Sequence, residues 1–209
     1  MSDSARNSSR YWVRRLSRSG NLFVISGPSG VGKGTILGEV FKRIDDGWYS
    51  VSVTTRKPRV GETDGIDYHF VDDEAFSSLA QSEGLLEWAD VHAERYGTPR
   101  APIQEHIERG HQVLLDIDVQ GALQIKDAMP ECVLVFIEPP SLEVLEQRLR
   151  GRGTDSEDQI VRRLREATHE ISLKPRYNYS VVNDDLAQAV QEVLTIIDTH
   201  AKEVETPCQ

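Results

Sequence analysis

Hydrophobic and polar positions along this chain follow two rhythms. Leu22-Phe23-Val24-Ile25-Ser26 is a continuous apolar run ending in glycine, the pattern of a strand buried on both faces. From Lys33 the apolar residues Ile36, Leu37, Val40, Phe41 and Ile44 step by threes and fours, which predicts a helix. Three further buried-strand runs come much later: Val113 to Asp116, Cys132 to Ile137, and Ser180 to Val182. Helical stretches precede them, around Ile103 to Arg109, Val119 to Ala128 and Ser141 to Leu173, and one from Asp185 to about Val204 closes the chain. Strands alternating with helices predict an α/β fold: a parallel sheet with helices on both faces.

Residues 51–100 break that rhythm. Val51 to Thr54, Asp67 to Phe70 and Leu85 to Trp88 are short strand-like pieces around one helix, Asp73 to Glu83. They predict a small, mainly β insertion on a core formed by 21–50 and 101–209. Within the core, Gly151 to Asp158 is polar and glycine-rich and interrupts a helical region, so residues of about 150–160 are a lid candidate. Residues 1–20 are polar and predict a flexible extension, with a short helix from Tyr11 to Ser17 as an option.

At 209 residues the chain is long enough to bury about 70% of its unfolded surface without a metal or disulfide staple. No run of about 18 apolar residues is present, which excludes a membrane-spanning helix, and the start has no apolar segment of the secretory kind. Net charge is −10; residues 1–20 hold five Arg against Asp3, a local +4, leaving −14 elsewhere. An acidic body does not suit a general nucleic-acid binder, although the basic arm alone could be either a solvated tail or a nucleic-acid contact. Cys132 and Cys208 have neither disulfide-framework nor metal spacing, so Cys132 is expected buried and inert and Cys208 in a frayed tail. Cysteine usage of this kind fits a reducing cytoplasm.

Candidate chemistry begins after the first strand, at Gly27-Pro28-Ser29-Gly30-Val31-Gly32-Lys33-Gly34-Thr35. Gly27 and Gly32 have P-loop spacing, Lys33 follows at once, and a helix opens there. Such a loop turns backbone N–H groups inward around phosphate, and Lys33 can reach the β- and γ-phosphates. One position departs from the pattern: Gly34 stands where a Ser or Thr would ligate magnesium, so that role passes to Thr35 or to water. In the insertion, Arg56 and Arg59 flank Pro58 on a turn, either as a solvated basic surface or as two guanidinium forks for a second phosphate, with Tyr68 able to add a phenol donor. Asp116 and Asp118 end a buried strand, where α/β sheets place ligands, although either could simply cap the next helix.

At this point the chain resembles the guanylate kinase family. The resemblance is carried by Gly27 to Thr35, by Thr54-Thr55-Arg56-Lys57-Pro58-Arg59-Val60-Gly61-Glu62 continuing to Asp67-Tyr68-His69-Phe70, and by Leu86-Glu87-Trp88-Ala89 and Tyr96-Gly97-Thr98. Leu115 to Gly121, Arg148 to Thr154 and Val182 to Leu186 add to it, so that it covers about residues 20–205. It implies a three-layer P-loop NTPase fold and transfer of the γ-phosphoryl group of ATP to GMP, with dGMP a further acceptor and Mg2+ accompanying ATP. It implies an ATP site of Gly27, Pro28, Ser29, Gly30, Val31, Gly32, Lys33, Gly34, Thr35 and Asn183, the last against adenine. A GMP pocket of Ser52, Arg56, Arg59, Tyr68, Glu87, Tyr96, Thr98 and Asp118 follows in the same way. Arg148, Arg152 and Arg163 would close over the ATP phosphates, and Asp116 with Thr35 would lie at the magnesium.

The assignment of Glu87 makes chemical sense. Guanine shows two donors and one acceptor on its pairing edge, so a carboxylate can take both donors while hydroxyls at Ser52 and Thr98 serve O6; adenine presents an unprotonated N1 there and leaves the carboxylate unpaired. Two rivals remain: a non-catalytic phosphopeptide-binding module, against which the intact loop and Arg152 stand, and a kinase of a phosphorylated sugar, which has no use for Glu87, Ser52 and Thr98. The partners implied are small nucleotides, with no membrane or nucleic acid among them; a homo-oligomer stays open.

Overall fold

The computed structural model describes residues 16–91, 94–151, 153 and 155–205. The first elements are β1 (Leu16–Arg18), β2 (Asn21–Ser26), α1 (Lys33–Phe41), β3 (Gly47–Tyr49), β4 (Val53–Thr54) and β5 (His69–Phe70). Next come α2 (Asp73–Gln81), β6 (Leu85–Val91), β7 (Glu94–Pro99), α3 (Arg100–Glu108), β8 (Gln112–Asp116) and α4 (Val119–Ala128). Then follow β9 (Val133–Glu138), α5 (Leu142–Gly151), α6 (Glu157–Ser172), a 3-10 turn (Lys174–Arg176), β10 (Tyr179–Val182), α7 (Leu186–His200) and β11 (Glu203–Glu205).

Five strands form one parallel sheet in the order β10-β9-β2-β8-β3. Because side chains alternate along a strand, β2 serves two cores at once. Phe23 and Ile25 pack with Ile36, Leu37 and Val40 of α1 and Val190, Val193 and Ile197 of α7. Leu22 and Val24 face Ile103 of α3 and Ala122 and Ile125 of α4 on the other side. The result is three layers, helix–sheet–helix, with the central strand β2 delivering its C-terminal end to the glycine-rich loop.

A second sheet, β5-β4-β7-β6, has its own small core of Val53, Phe76 and Leu85. Its strands differ from those expected. Pairing covers only Val53–Thr54 and His69–Phe70, while β6 runs on to Val91. The sequence pattern gave no sign of β7, whose Glu-Arg-Tyr-Gly-Thr-Pro has no alternation. A side chain at Gly97 would come within 2.9 Å of Leu85 Cδ1 and 3.0 Å of the Glu87 carbonyl. Strand β3 was also unannounced, being a three-residue edge strand without an apolar run.

The chain ends correct the reading too. Helix α7 stops at His200 rather than near Val204, and Glu203–Glu205 instead pairs antiparallel with Leu16–Arg18. Leu16 and Ser17 are therefore strand and not helix; the rest of the Tyr11–Ser17 helix, like Arg152, Thr154 and Cys208, lies outside the described residues. Pairing supplies backbone partners that a lone helical turn would lack, and Arg18 adds ion pairs to Asp198 at 2.7 Å and Asp46 at 3.5 Å. The stretch Ser141 to Leu173 is two helices, α5 and α6, broken where the polar Gly151–Asp158 segment lies. Ser156 and Gln159 close a capping box that starts α6. Helix α3 begins at Arg100, three residues before the apolar pattern. Cys132 is buried and its thiol is pushed up to about 11 by that burial, so it is inert at neutral pH. None of the described helices is long and apolar enough to cross a membrane.

Candidate active site

Strand β2 ends at Ser26 and the backbone turns through Gly27, Gly30 and Gly32, all at positive φ. Gly32, at φ 100°, is the N-cap of α1, and no side chain caps that helix end. The first N–H groups of α1 are thus left for a ligand, at the positive end of the helix dipole. Lys33 folds across the loop, its Nζ donating to the Gly27 carbonyl at 2.8 Å and lying 3.9 Å from Asp116 Oδ1. An open cavity of about 630 Å³ covers this loop, bordered by Thr35 on α1, by Asp116 at the end of β8 and Asp118 just after it, and by Glu170 of α6.

Electrostatics in the cavity centre on Lys33. Burial raises the Asp116 carboxyl above its ordinary range while the Lys33 ammonium pulls it down. Glu170 behaves the same way, burial outweighing Lys33. Sequence reasoning missed Glu170, although a signal was present: Arg163, Ala167 and Glu170 fall at i, i+4 and i+7 and share a helix face. Arg163 on that face donates to Ser29 Oγ at 2.6 Å and lies 3.4 Å from Asp155, so α6 reaches the loop directly.

Two expected ATP residues lie behind the loop. Asn183 is 8% exposed and its Nδ2 donates to the Val31 carbonyl at 2.7 Å. Arg148 Nη2 donates to the Asn183 carbonyl at 2.9 Å. Both residues brace the loop in this structure.

Asp118 caps α4, its carboxylate accepting from the Gly121 N–H at 2.9 Å, and also borders the cavity. The same turn meets β6. Oε2 of Glu87 would lie 3.1 Å from a side chain at Gly121, so the missing side chain makes room for that carboxylate. Opposite Glu87 in the ladder is the buried Thr98, whose hydroxyl donates to Glu87 Oε1 at 2.6 Å. Burial pushes the Glu87 carboxyl up to about 7, Thr98 holds it down and Asp118 raises it further.

The remaining expected residues gather on the second sheet. Arg56 Nε donates to Tyr96 Oη at 3.1 Å, and its guanidinium lies over Tyr68, whose ring meets Tyr96 edge-on. Arg59 is exposed on the following turn, and Ser52 accepts the His69 N–H at its carbonyl. Glu62, unassigned from sequence, grips Arg56 with both carboxylate oxygens.

A phosphate loop at the end of a central parallel strand, a cation within it and an arginine reaching it from a helical arm define a P-loop phosphotransferase. A family model described as guanylate kinase matches residues 19–200. Guanylate kinase of Carboxydothermus hydrogenoformans is 49% identical over 178 residues, 85% of this chain and 87% of that protein. That of Thermus thermophilus is 51% identical over 178 residues, 85% of this chain and 80% of its own. The crystal structure of guanylate kinase from Anaplasma phagocytophilum superposes with a TM-score of 0.70 at 33% identity, covering 90% of this chain and 89% of that one. The chain belongs to the guanylate kinase family.

Proposed function

We propose that the cleft between the two sheets carries out the guanylate kinase reaction with the residues gathered there. The chain transfers the γ-phosphoryl group of ATP to GMP, giving ADP and GDP. The ATP phosphates rest on the backbone N–H groups of Gly27 to Thr35, where their oxygens replace the Gly27 carbonyl as partner of Lys33 Nζ. GMP occupies the second sheet: Arg56, Arg59, Tyr68 and Tyr96 take its phosphate, and Ser52, Glu87 and Thr98 take the guanine edge. Asp118 links the two halves. A GMP phosphate has a second pKa of about 6 and is already ionised at neutral pH, so no general base is needed. Catalysis is placement and charge neutralisation, with Lys33 and Arg163 facing the transferring group. Arg148 and Asn183 support this by holding Val31 in place. Residues 150–160, including Arg152, form the lid, and 51–100 the acceptor-binding unit, whose closure excludes water.

The residues present also fit Mg2+. Thr35 and Asp116 offer a hydroxyl and a carboxylate beside the phosphate loop; among the described residues no three acidic, thiol or imidazole side chains cluster as a metal site, there or elsewhere. One carboxylate with few protein ligands is the sparse oxygen set magnesium takes beside phosphates. Bound there, Mg2+ would neutralise phosphate charge; Thr35 stands in for the hydroxyl that Gly34 lacks. A cytoplasmic enzyme is the natural setting for these substrates. dGMP is a second acceptor, since the guanine and phosphate contacts are unchanged in it.

The observation that carries the assignment is the Glu87–Thr98 pair, a half-buried carboxylate held by a buried hydroxyl where guanine's two donors would meet it. A coupled ADP-release assay with ATP against GMP, AMP, CMP and UMP tests it. GMP should give turnover at least about 100-fold above the others, because a mismatched base leaves buried polar groups unpaired. Equal rates with AMP would remove guanine selection.

Two further results are expected. Guanine needs the Glu87 carboxylate, whereas the free enzyme holds this carboxyl near 7. Above that pH kcat/KM for GMP should therefore be level, and below it should fall about tenfold per pH unit. The GMP phosphate adds a second limb near 6. In Glu87→Gln only the latter should remain; an unchanged profile would detach the upper limb from Glu87. Second, Gly121→Ala places a methyl 3.1 Å from Glu87 Oε2. The KM for GMP should rise about three- to tenfold, with ATP affinity and melting temperature little changed, since the carboxylate must shift by only a few tenths of an ångström while the helix gains propensity. A lowered KM for GMP would contradict that crowding.

A further inference from the structure

The turn between β4 and β5 contains a clamp that the sequence pattern did not announce. A guanidinium has five N–H donors. Arg56 spends its Nε on Tyr96 Oη at 3.1 Å, Nη1 on the Lys57 carbonyl and Glu62 Oε2, both at 2.9 Å, and Nη2 on Glu62 Oε1 at 2.8 Å. Four of the five are taken. Its flat face is fixed as well, with the guanidinium carbon 5.3 Å from the Tyr68 ring centre and 5.7 Å from that of Phe70. Glu62 does more than pair with Arg56: its Oε2 accepts the Arg59 main-chain N–H at 2.7 Å, and its own N–H donates to the Arg59 carbonyl at 3.1 Å. One carboxylate thus ties down the side chain of one arginine and the backbone of the other. The side chains of the pair are only 12% and 19% exposed, whereas Arg59 is exposed and its side chain makes no hydrogen bond or ion pair with any described residue.

We propose that Glu62 is a positioning residue for the acceptor phosphate, holding Arg56 as a one-donor contact and presenting Arg59 as the forked grip. This rests on the reading that the turn faces the GMP phosphate. The two arginines are then unequal, unlike the pair of forks that their spacing suggests. Glu62 is not a stand-in that the phosphate displaces. Displacement would strip a mostly covered carboxylate of three hydrogen bonds and leave it beside a dianion, which repels it. Hydrogen bonds from Arg56 and the Arg59 N–H hold the Glu62 carboxyl below its ordinary range, so it stays ionised throughout the working pH range.

The test compares Glu62→Gln with Arg59→Ala in the full chain. Glu62→Gln turns a donor amide toward Arg56 and frees its guanidinium to rotate. The KM for GMP should rise about tenfold, with kcat and the KM for ATP within about threefold of the parent. Inhibition by guanosine, which lacks the phosphate, should be unchanged; a merely structural defect would weaken guanosine and GMP alike. Arg59→Ala should raise the KM for GMP by more than Glu62→Gln does. If Glu62→Gln leaves or lowers that KM while Arg59→Ala raises it, Glu62 is a competitor or a surface pair and the proposal is wrong. Should neither variant move it, the phosphate-site reading itself fails, and this proposal with it. Melting curves check folding. If Glu62→Gln does not fold, Glu62→Asp, which keeps the charge but withdraws from the two-oxygen grip, is read on the same scale.

Discussion

Replacing Lys33 by alanine should leave a folded protein whose GMP-dependent ADP release is slower by a factor of about 10² or more. Removing one preorganised charge-stabilising donor typically costs about 2.7–4 kcal/mol in the transition state. Lys33 is the cation set in the phosphate loop, with its Nζ on the Gly27 carbonyl and 3.9 Å from Asp116. The loss should appear mainly in kcat, because backbone N–H groups at the start of α1 still hold the ATP phosphates. The fold should survive: the loop's shape is set by its glycines and by Asn183 and Arg148 behind Val31. Steady-state kinetics beside a thermal melt checks both halves. A well-folded variant with near-normal kcat would remove Lys33 from catalysis.

The parts of this fold legible in the sequence were those in which one physical demand dominates. The buried strands β2, β8 and β9 are covered on both faces, so nearly every position is apolar and the run announces itself. The phosphate loop is legible because only glycine serves at its tight turns. Strands β3 and β7 were not legible. They are held by partners distant in sequence, and their own residues are mostly half exposed and form neither a continuous nor an alternating apolar run. The β1–β11 pairing joins residues near opposite ends of the chain, which no local pattern records. At the site, motif residues could be named but not their working partners. That Asn183 and Arg148 meet at the back of the loop, or that Glu62 holds Arg56, depends on tertiary placement. Glu170 was missed for the same reason, its helix face acquiring meaning only once α6 lies over the loop.

The second large effect is expected at Glu87. Its carboxylate lies on β6 with Oε1 bonded to Thr98 and Oε2 in the space left by Gly121. In Glu87→Gln one acceptor oxygen becomes an amide donor facing guanine's own donors. A charge-assisted bond is lost and a donor–donor contact made, together about 2–4 kcal/mol. The KM for GMP should then rise about 30-fold or more, while the KM for ATP barely moves, since the proposed ATP site is the loop at Lys33. AMP should gain relative to GMP, because its pairing edge no longer faces a carboxylate.

The proposed selection of guanine by this carboxylate is therefore best examined by the ratio of kcat/KM for GMP to that for AMP. It should be measured by ADP release in the parent chain and in Glu87→Gln. A ratio of at least about 100 in the parent that falls by about 30-fold or more in the variant, with the ATP parameters unchanged, is the predicted result. A parent without GMP preference, or a variant whose ratio stays within twofold of the parent's, would contradict it.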